Sequence, residues 1–211
     1  MDYTNCRLCP RECGVNRAAG ETGFCGCPAT ALVAKTMRHM WEEPVLAGSG
    51  GSGALFFGGC TLGCKYCQNA AISGGPVGKP TDSAGLRRIF EDLIAQGAEN
   101  IDLVTPTHFL PTILPALEPK LPVPVVCNCG GYERVETLRE LEGKIDIYLP
   151  DFKYADGALA AALSGAPDYF PRAQDAIREM VRQTGAPQWQ GERLVRGTVI
   201  RHLILPGHVD N

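Results

Sequence analysis

The sequence predicts an α/β protein: a partial parallel (β/α) barrel carrying a small cysteine-rich appendage at its N-terminus. Three observations carry this. From Val45 onward, short runs of nearly continuous apolar residues alternate with stretches of helical pattern, the mark of a parallel sheet buried on both faces. Val45 to Asn211 is 167 residues, whereas a complete eight-fold barrel takes about 250, so the barrel is expected to lack its last units. Five of the ten cysteines fall in the first 27 residues, within a segment of little periodicity. The expected division is therefore 1–44, a cysteine-rich metal-binding segment, and 45–211, the partial barrel.

The elements follow in order. Ala31 to Met40 reads as a strand inside the first segment. The loop AGSGGSG leads into ALFFGG, an apolar strand that delivers Cys60 to its C-terminal tip. Asp82 or Ser83 caps a helix through LRRIFEDLIAQG, which Gly97 stops, and Ile101 to Thr105 is the next strand. The helix at His108 to Leu117 is expected to be short, because Pro111 and Pro115 interrupt it. Val123 to Asn128 is a strand, Tyr132 to Leu141 a helix and Ile145 to Leu149 a strand. Ala155 to Leu163 and Ala173 to Thr184 read as helices, and Val199 to Leu205 as a last strand. Five core strands result, with functional groups expected at their C-terminal ends. A chain that stops just past a strand, with no helix to cover it, is expected to be a truncated form of a longer protein.

Composition narrows the partners. A chain of 211 residues, 45% hydrophobic and 20% charged, buries one good-sized core. A net charge of -3 gives no electrostatic reason to expect nucleic acid or an anionic membrane. The N-terminal MDYTNCRLCPREC lacks the apolar region of a secretory signal, and no apolar run approaches the roughly 20 residues of a membrane span. A cytoplasmic location is expected, where clustered thiols are metal ligands or catalysts rather than disulfides.

Cys60, Cys64 and Cys67 are spaced C-x3-C-x2-C. A 4Fe-4S cluster is saturated by four cysteines, so three leave one iron open to a substrate, as a catalytic zinc keeps an open position. The competing readings are zinc, which usually pairs C-x2-C knuckles and finds no fourth ligand nearby, and inert buried thiols. Cys6, Cys9 and Cys13, with Cys25 from GFCGC, supply four thiolates for a second, closed site that suits either an iron-sulfur cluster or zinc. Cys27 replaces Cys25 there or is spare. Cys127 reads as a small buried hydrophobe, and Cys129, past the strand end, reads first as without a role in the site and otherwise as a residue that touches substrate.

CTLGCKYC, with Tyr66 before the third cysteine, resembles the radical S-adenosylmethionine (radical SAM) signature C-x3-C-x-aromatic-C. FFGGCTLGCKYCQN, NIDLVTPTHF, NCGGYE, DIYLPDFKY and VIRHLILPGH follow in order. Together they resemble the branch related to the pyruvate formate-lyase activating enzyme, in particular members with an N-terminal CxLCPRxC segment, here CRLCPREC. The resemblance implies a radical SAM partial barrel and an enzyme, an oxidoreductase or lyase. S-adenosylmethionine would chelate the open iron and be reductively cleaved to methionine and a 5′-deoxyadenosyl radical, which abstracts hydrogen. It also implies a reductant such as flavodoxin or ferredoxin, and a protein substrate such as a glycyl-radical enzyme.

Carried over residue by residue, Cys60, Cys64 and Cys67 bind the cluster and Tyr66 lies beside the adenine. Thr105 and Thr107 of VTPTH stand where the family has a Gly-Gly-Glu segment for the methionine ammonium; no Glu role transfers, so carbonyls and hydroxyls would accept from it. Asn128 stands where activating enzymes have D-T-N-G. Asp151 and Lys153 match their D-x-K and are the catalytic candidates, with Asp151 also cofactor-binding. Arg201 reaches either the cofactor carboxylate or a core acid. Asp151 and Lys153 would otherwise be an exposed turn pair, and His108 either a site or a surface residue; His39, His202 and His208 read as structural. The competing class is a non-catalytic iron-sulfur protein or an inactive truncated remnant.

Overall fold

In the computed structural model, which describes residues 1–209, the first 30 residues form irregular loops around a 3-10 turn at Arg17–Ala19. β1 (Ala31–His39), α1 (Pro44–Ala47) and β2 (Ser52–Phe57) follow. After the cysteine loop come α2 (Ala70–Ser73), β3 (Lys79–Thr81), α3 (Ser83–Ala95) and β4 (Asn100–Val104). A 3-10 turn at Thr107–Phe109 runs into α4 (Leu110–Ala116), then β5 (Val125–Cys129), α5 (Val135–Arg139) and β6 (Ile147–Pro150). α6 (Gly157–Ser164), α7 (Tyr169–Thr184), β7 (Gln188–Gln190) and β8 (Arg193–Thr198) complete the described elements.

The strands form one sheet in the order β3-β1-β2-β4-β5-β6-β8-β7. β2, β4, β5, β6 and β8 run parallel. The expectation of a purely parallel sheet is corrected at both edges, since β1 is antiparallel to β2 and β3, and β7 to β8. The fold is thus α/β with a mixed sheet. β1 lies before the 44/45 boundary, yet it pairs with β2 from Val33 opposite Phe57 to His39 opposite Ser52.

Both faces of the parallel core are covered, which is why its strands read as continuous apolar runs. On one face Leu55, Ile101, Leu103, Val125, Cys127 and Tyr148 pack beneath α3, α4, α5 and α7. On the other, Val126, Ile147 and Leu149 meet Leu46 of α1 and Leu194 of β8. α3 shows the logic of one element. Asp82 Oδ1 accepts from the Gly85 amide at 2.7 Å and caps the helix, and Leu86, Phe90 and Leu93 lie on one buried stripe. Each such side chain contributes about 1.5–3 kcal/mol on burial.

Two more expectations are corrected. The last strand spans Arg193–Thr198 rather than Val199 to Leu205. Register with β6 sets it: Ile147 lies opposite Gly197, and backbone pairing of the two segments ends at the Asp151–Arg201 bridge, leaving Leu203 and Ile204 exposed. The helix expected from Tyr132 begins at Val135, because Gly131, at φ +78°, makes the chain turn and its carbonyl accepts from the Glu133 amide. Among the described residues no helix is long and apolar enough to cross a membrane.

Candidate functional site

β2 ends at Phe57, and the chain turns through Gly58 and Gly59 into Cys60. A Cβ on Gly58 would overlap the Val77 carbonyl, and one on Gly59, at φ +74°, would overlap Cys27 Sγ. Only glycine lets the loop leave the strand tip here. Cys60, Cys64 and Cys67 are free and half-buried. Cys60 Sγ accepts from the Leu62 amide at 3.3 Å, and Cys67 Sγ from Ser73 Oγ at 3.3 Å. Burial pushes the Cys60 thiol up, opposed by the Gly63 and Leu62 amides.

The loop packs into a cluster of tyrosines. Leu62, Cys60, Cys64 and Tyr66 meet Tyr132, Tyr154 and Tyr169, with the Tyr66 and Tyr154 rings edge-on at 6.3 Å. Arg11, from the N-terminal segment, ties the same loop down. Its Nε donates to the Thr61 carbonyl at 3.0 Å, and it also donates to the carbonyls of Leu62, Ser164 and Gly165.

A polar array occupies the neighbouring strand tips. Arg201 donates to Asp151 Oδ1 at 3.0 Å and to Asn128 Oδ1 at 2.7 Å, and Lys153 Nζ donates to Asp151 Oδ2 at 2.6 Å. Burial works against the charged form of Lys153, but Asp151 outweighs it and holds the ammonium above its usual value, with Cys64 also in electrostatic reach. Asn128 Nδ2 donates to Asp102 Oδ2 at 3.3 Å and Glu42 Oε2 at 3.4 Å. Asp102 is fully buried, and burial together with Glu42 pushes its carboxyl well above the usual range.

Asn128, Asp151, Lys153 and Arg201 are thus brought together. Lys153 and Asp151 side chains are 14% and 23% exposed, too enclosed for an ordinary surface turn pair. Thr105 adopts φ +58°, and its amide donates to the Asn128 carbonyl. Thr107 is buried and its hydroxyl donates to Glu133 at 2.6 Å, so it faces that acid rather than the array. His108 is buried, not a surface residue, and Cys129 is the buried last residue of β5 rather than lying beyond it. Cys127 is buried as expected, whereas His202 and His208 are exposed.

Glu42, Asp102, Glu133, Arg11 and Arg17 are the residues that sequence reasoning missed. Asp102 alone carried a signal, an acid inside the apolar run IDLVT.

The donor set fits an iron-sulfur cluster: three free thiols on one loop, two of them already accepting hydrogen bonds. Among the described residues no three His, Cys, Asp or Glu side chains converge closely enough to hold a single metal ion. Each cysteine of a 4Fe-4S cluster binds its own iron, so its ligands stand wider apart than those of one ion.

The chain is 30% identical over 223 residues to an uncharacterized protein of Methanocaldococcus jannaschii, an alignment covering 99% of this chain and 59% of the relative. The chain therefore spans less than two thirds of that relative's length. Residues 46–109 match the family described as a 4Fe-4S single cluster domain. That segment contains Cys60, Cys64 and Cys67, and the match indicates a 4Fe-4S-binding domain in an iron-sulfur protein.

Proposed function

We propose that this chain is a radical SAM enzyme of the branch related to the pyruvate formate-lyase activating enzyme, with a 4Fe-4S cluster on Cys60, Cys64 and Cys67 and S-adenosylmethionine at the open iron. The observation that carries it is a juxtaposition: Cys64 of the loop past β2 lies within electrostatic reach of Lys153, which pairs with Asp151, and Asp151 in turn pairs with Arg201, and Arg201 with Asn128, at the tips of further parallel strands. When bound, the cluster and cofactor supply a one-electron reductive cleavage that yields a 5′-deoxyadenosyl radical for hydrogen abstraction.

The chain's own residues bind and orient. Arg201, half-buried and paired with Asp151, offers a guanidinium to a carboxylate, and Asn128 adds an amide beside it. Lys153 places an ammonium between Asp151 and the cysteine loop. Tyr66, Tyr132, Tyr154 and Tyr169 make an apolar wall against the loop. Thr105, on a left-handed backbone just past β4, ties that strand tip to β5 through its amide and the Asn128 carbonyl.

Ten free thiols suit a reducing, cytoplasmic compartment with flavodoxin or ferredoxin as electron donor. The hydrogen donor would be a protein such as a glycyl-radical enzyme.

Anaerobic reconstitution, then incubation with S-adenosylmethionine and dithionite, should yield 5′-deoxyadenosine and methionine, and Cys64→Ala should abolish both. A chain that demonstrably carries the three-cysteine cluster yet forms no 5′-deoxyadenosine sinks the proposal and leaves a non-catalytic iron-sulfur protein.

A further inference from the structure

Arg17 is among the largest fully buried side chains, at 2% exposure. Its guanidinium donates to the carbonyls of Cys27 at 3.0 Å, His108 at 2.6 Å and Pro28, and lies 3.8 Å from Cys6 Sγ. Tyr3 and Phe109 rings flank it at 4.6 and 5.5 Å. It takes part in no ion pair among the described residues. A guanidinium carries its charge wherever it sits, and a buried charge without an opposite one is strongly unfavourable. Something anionic is expected beside it.

The groups gathered there are thiols. Backbone bonds from Cys6 to Val15, Gly14 to Cys6 and Glu12 to Cys9 fold Cys6, Cys9 and Cys13 into one tight loop. Cys13 Sγ accepts from the Phe24 amide at 3.3 Å and lies only 2.8 Å from where a Cβ on Gly23 would be, so the Gly23–Cys25 segment runs against that loop. Cys9 has Cys13 and Cys25 within electrostatic reach.

We infer that Cys6, Cys9, Cys13 and Cys25 hold a second, anionic iron-sulfur cluster, for which Arg17 is the buried counter-cation and a positioning residue. A cluster spreads its four thiolates over four irons, and its net negative charge answers the buried Arg17 guanidinium. Arg11, between Cys9 and Cys13, fastens this centre to the Cys60 loop through the Thr61 and Leu62 carbonyls. The inference does not depend on cleavage of S-adenosylmethionine: the 5′-deoxyadenosine assay can fail while this cluster is present.

The test is anaerobic reconstitution with iron and sulfide, read by metal analysis and Mössbauer spectroscopy. The native chain should carry about eight irons and the Cys60→Ala/Cys64→Ala/Cys67→Ala chain about four, at four sulfides. Only about four in the native chain, or zinc alone in the variant, overturns the second cluster. In that variant Arg17→Gln should lose the remaining iron and Arg17→Lys keep it. In the otherwise native chain Arg17→Gln should keep about four irons on the other loop, which also reports that the chain is folded. Full iron retention by Arg17→Gln, or loss from both loops together, overturns the counter-cation role.

Discussion

His108 is fully buried, and its Nε2 lies 2.8 Å from the Gly58 carbonyl. A carbonyl only accepts, so Nε2 carries the proton and Nδ1 is left without a partner. Burial, opposed by the Gly58 bond and aided by Arg17, pushes the ring down to about 4. The folded value lies below the ordinary 6.5, so the unfolded chain takes up the proton first. Stability is therefore whole above about 6.5 and lost as pH falls toward 4. At about 1.4 kcal/mol per pH unit the effect is a few kcal/mol. His108→Gln, which can still donate to Gly58, should flatten the acid side of a urea-unfolding profile; an unchanged slope would refute the assignment. Glu133 runs the other way. Burial, opposed by Thr107 and Cys129, raises its carboxyl to about 7, so the folded state holds the proton longer and stability falls as pH rises from 4.5 through 7. Glu133→Gln should gain stability over the native chain above neutrality and none at about pH 4. Equal effects at both ends would mean that the acid does not titrate as described.

At the scale of elements, the N-cap of α3 offers a clean measurement. Asp82 is exposed and its cap bond to Gly85 is local, so Asp82→Ala should cost about 1 kcal/mol with the denaturant slope unchanged. A loss below a few tenths would show that packing of Leu86, Phe90 and Leu93 alone holds the helix. α3 was legible because cap, stripe and Gly97 stop all lie within its own sixteen residues, Asp82 to Gly97. β2, β4, β5 and β6 were legible for a related reason, since burial on both faces writes an apolar run into each. β3 and β7 were not. Lys79–Thr81 and Gln188–Gln190 are short, largely exposed edge strands whose pairing rests on backbone alone, so nothing in their side chains announces them. VIRHLIL misled because an apolar run reports expected burial, whereas the end of β6 decides where pairing stops. The cysteine loop was legible from spacing. Arg11 and Arg17 were not, because Arg11 finds its partners 50 to 154 residues away and Arg17 reaches 91 residues to His108.

Across the whole molecule, Arg201 is where separated parts of the chain converge. From beyond β8 it reaches Asn128 of β5, Asp151 after β6 and Glu42 before α1, and Asn128 passes the contact on to Asp102 of β4. The acids outnumber the cations in this array, and Asp102 is held toward its neutral form by burial and Glu42 while Arg201 pulls the other way. Removing the guanidinium therefore deprives several acids of one shared partner. Arg201→Met should cost about 2 kcal/mol, below the usual figure for breaking a buried pair because Arg201 is 30% exposed and partly screened. The sign with pH follows from Asp102. Its folded value is already above the unfolded one and rises further without Arg201, so the variant should lose more stability as pH rises and least in acid. Arg201→Met combined with Asp102→Asn should then cost less than the two single changes together, because the second substitution removes an acid that the first left uncompensated. Unfolding free energies from urea titration of the four chains at two pH values decide it. Strict additivity at both would mean that Arg201 and Asp102 are neighbours without being coupled.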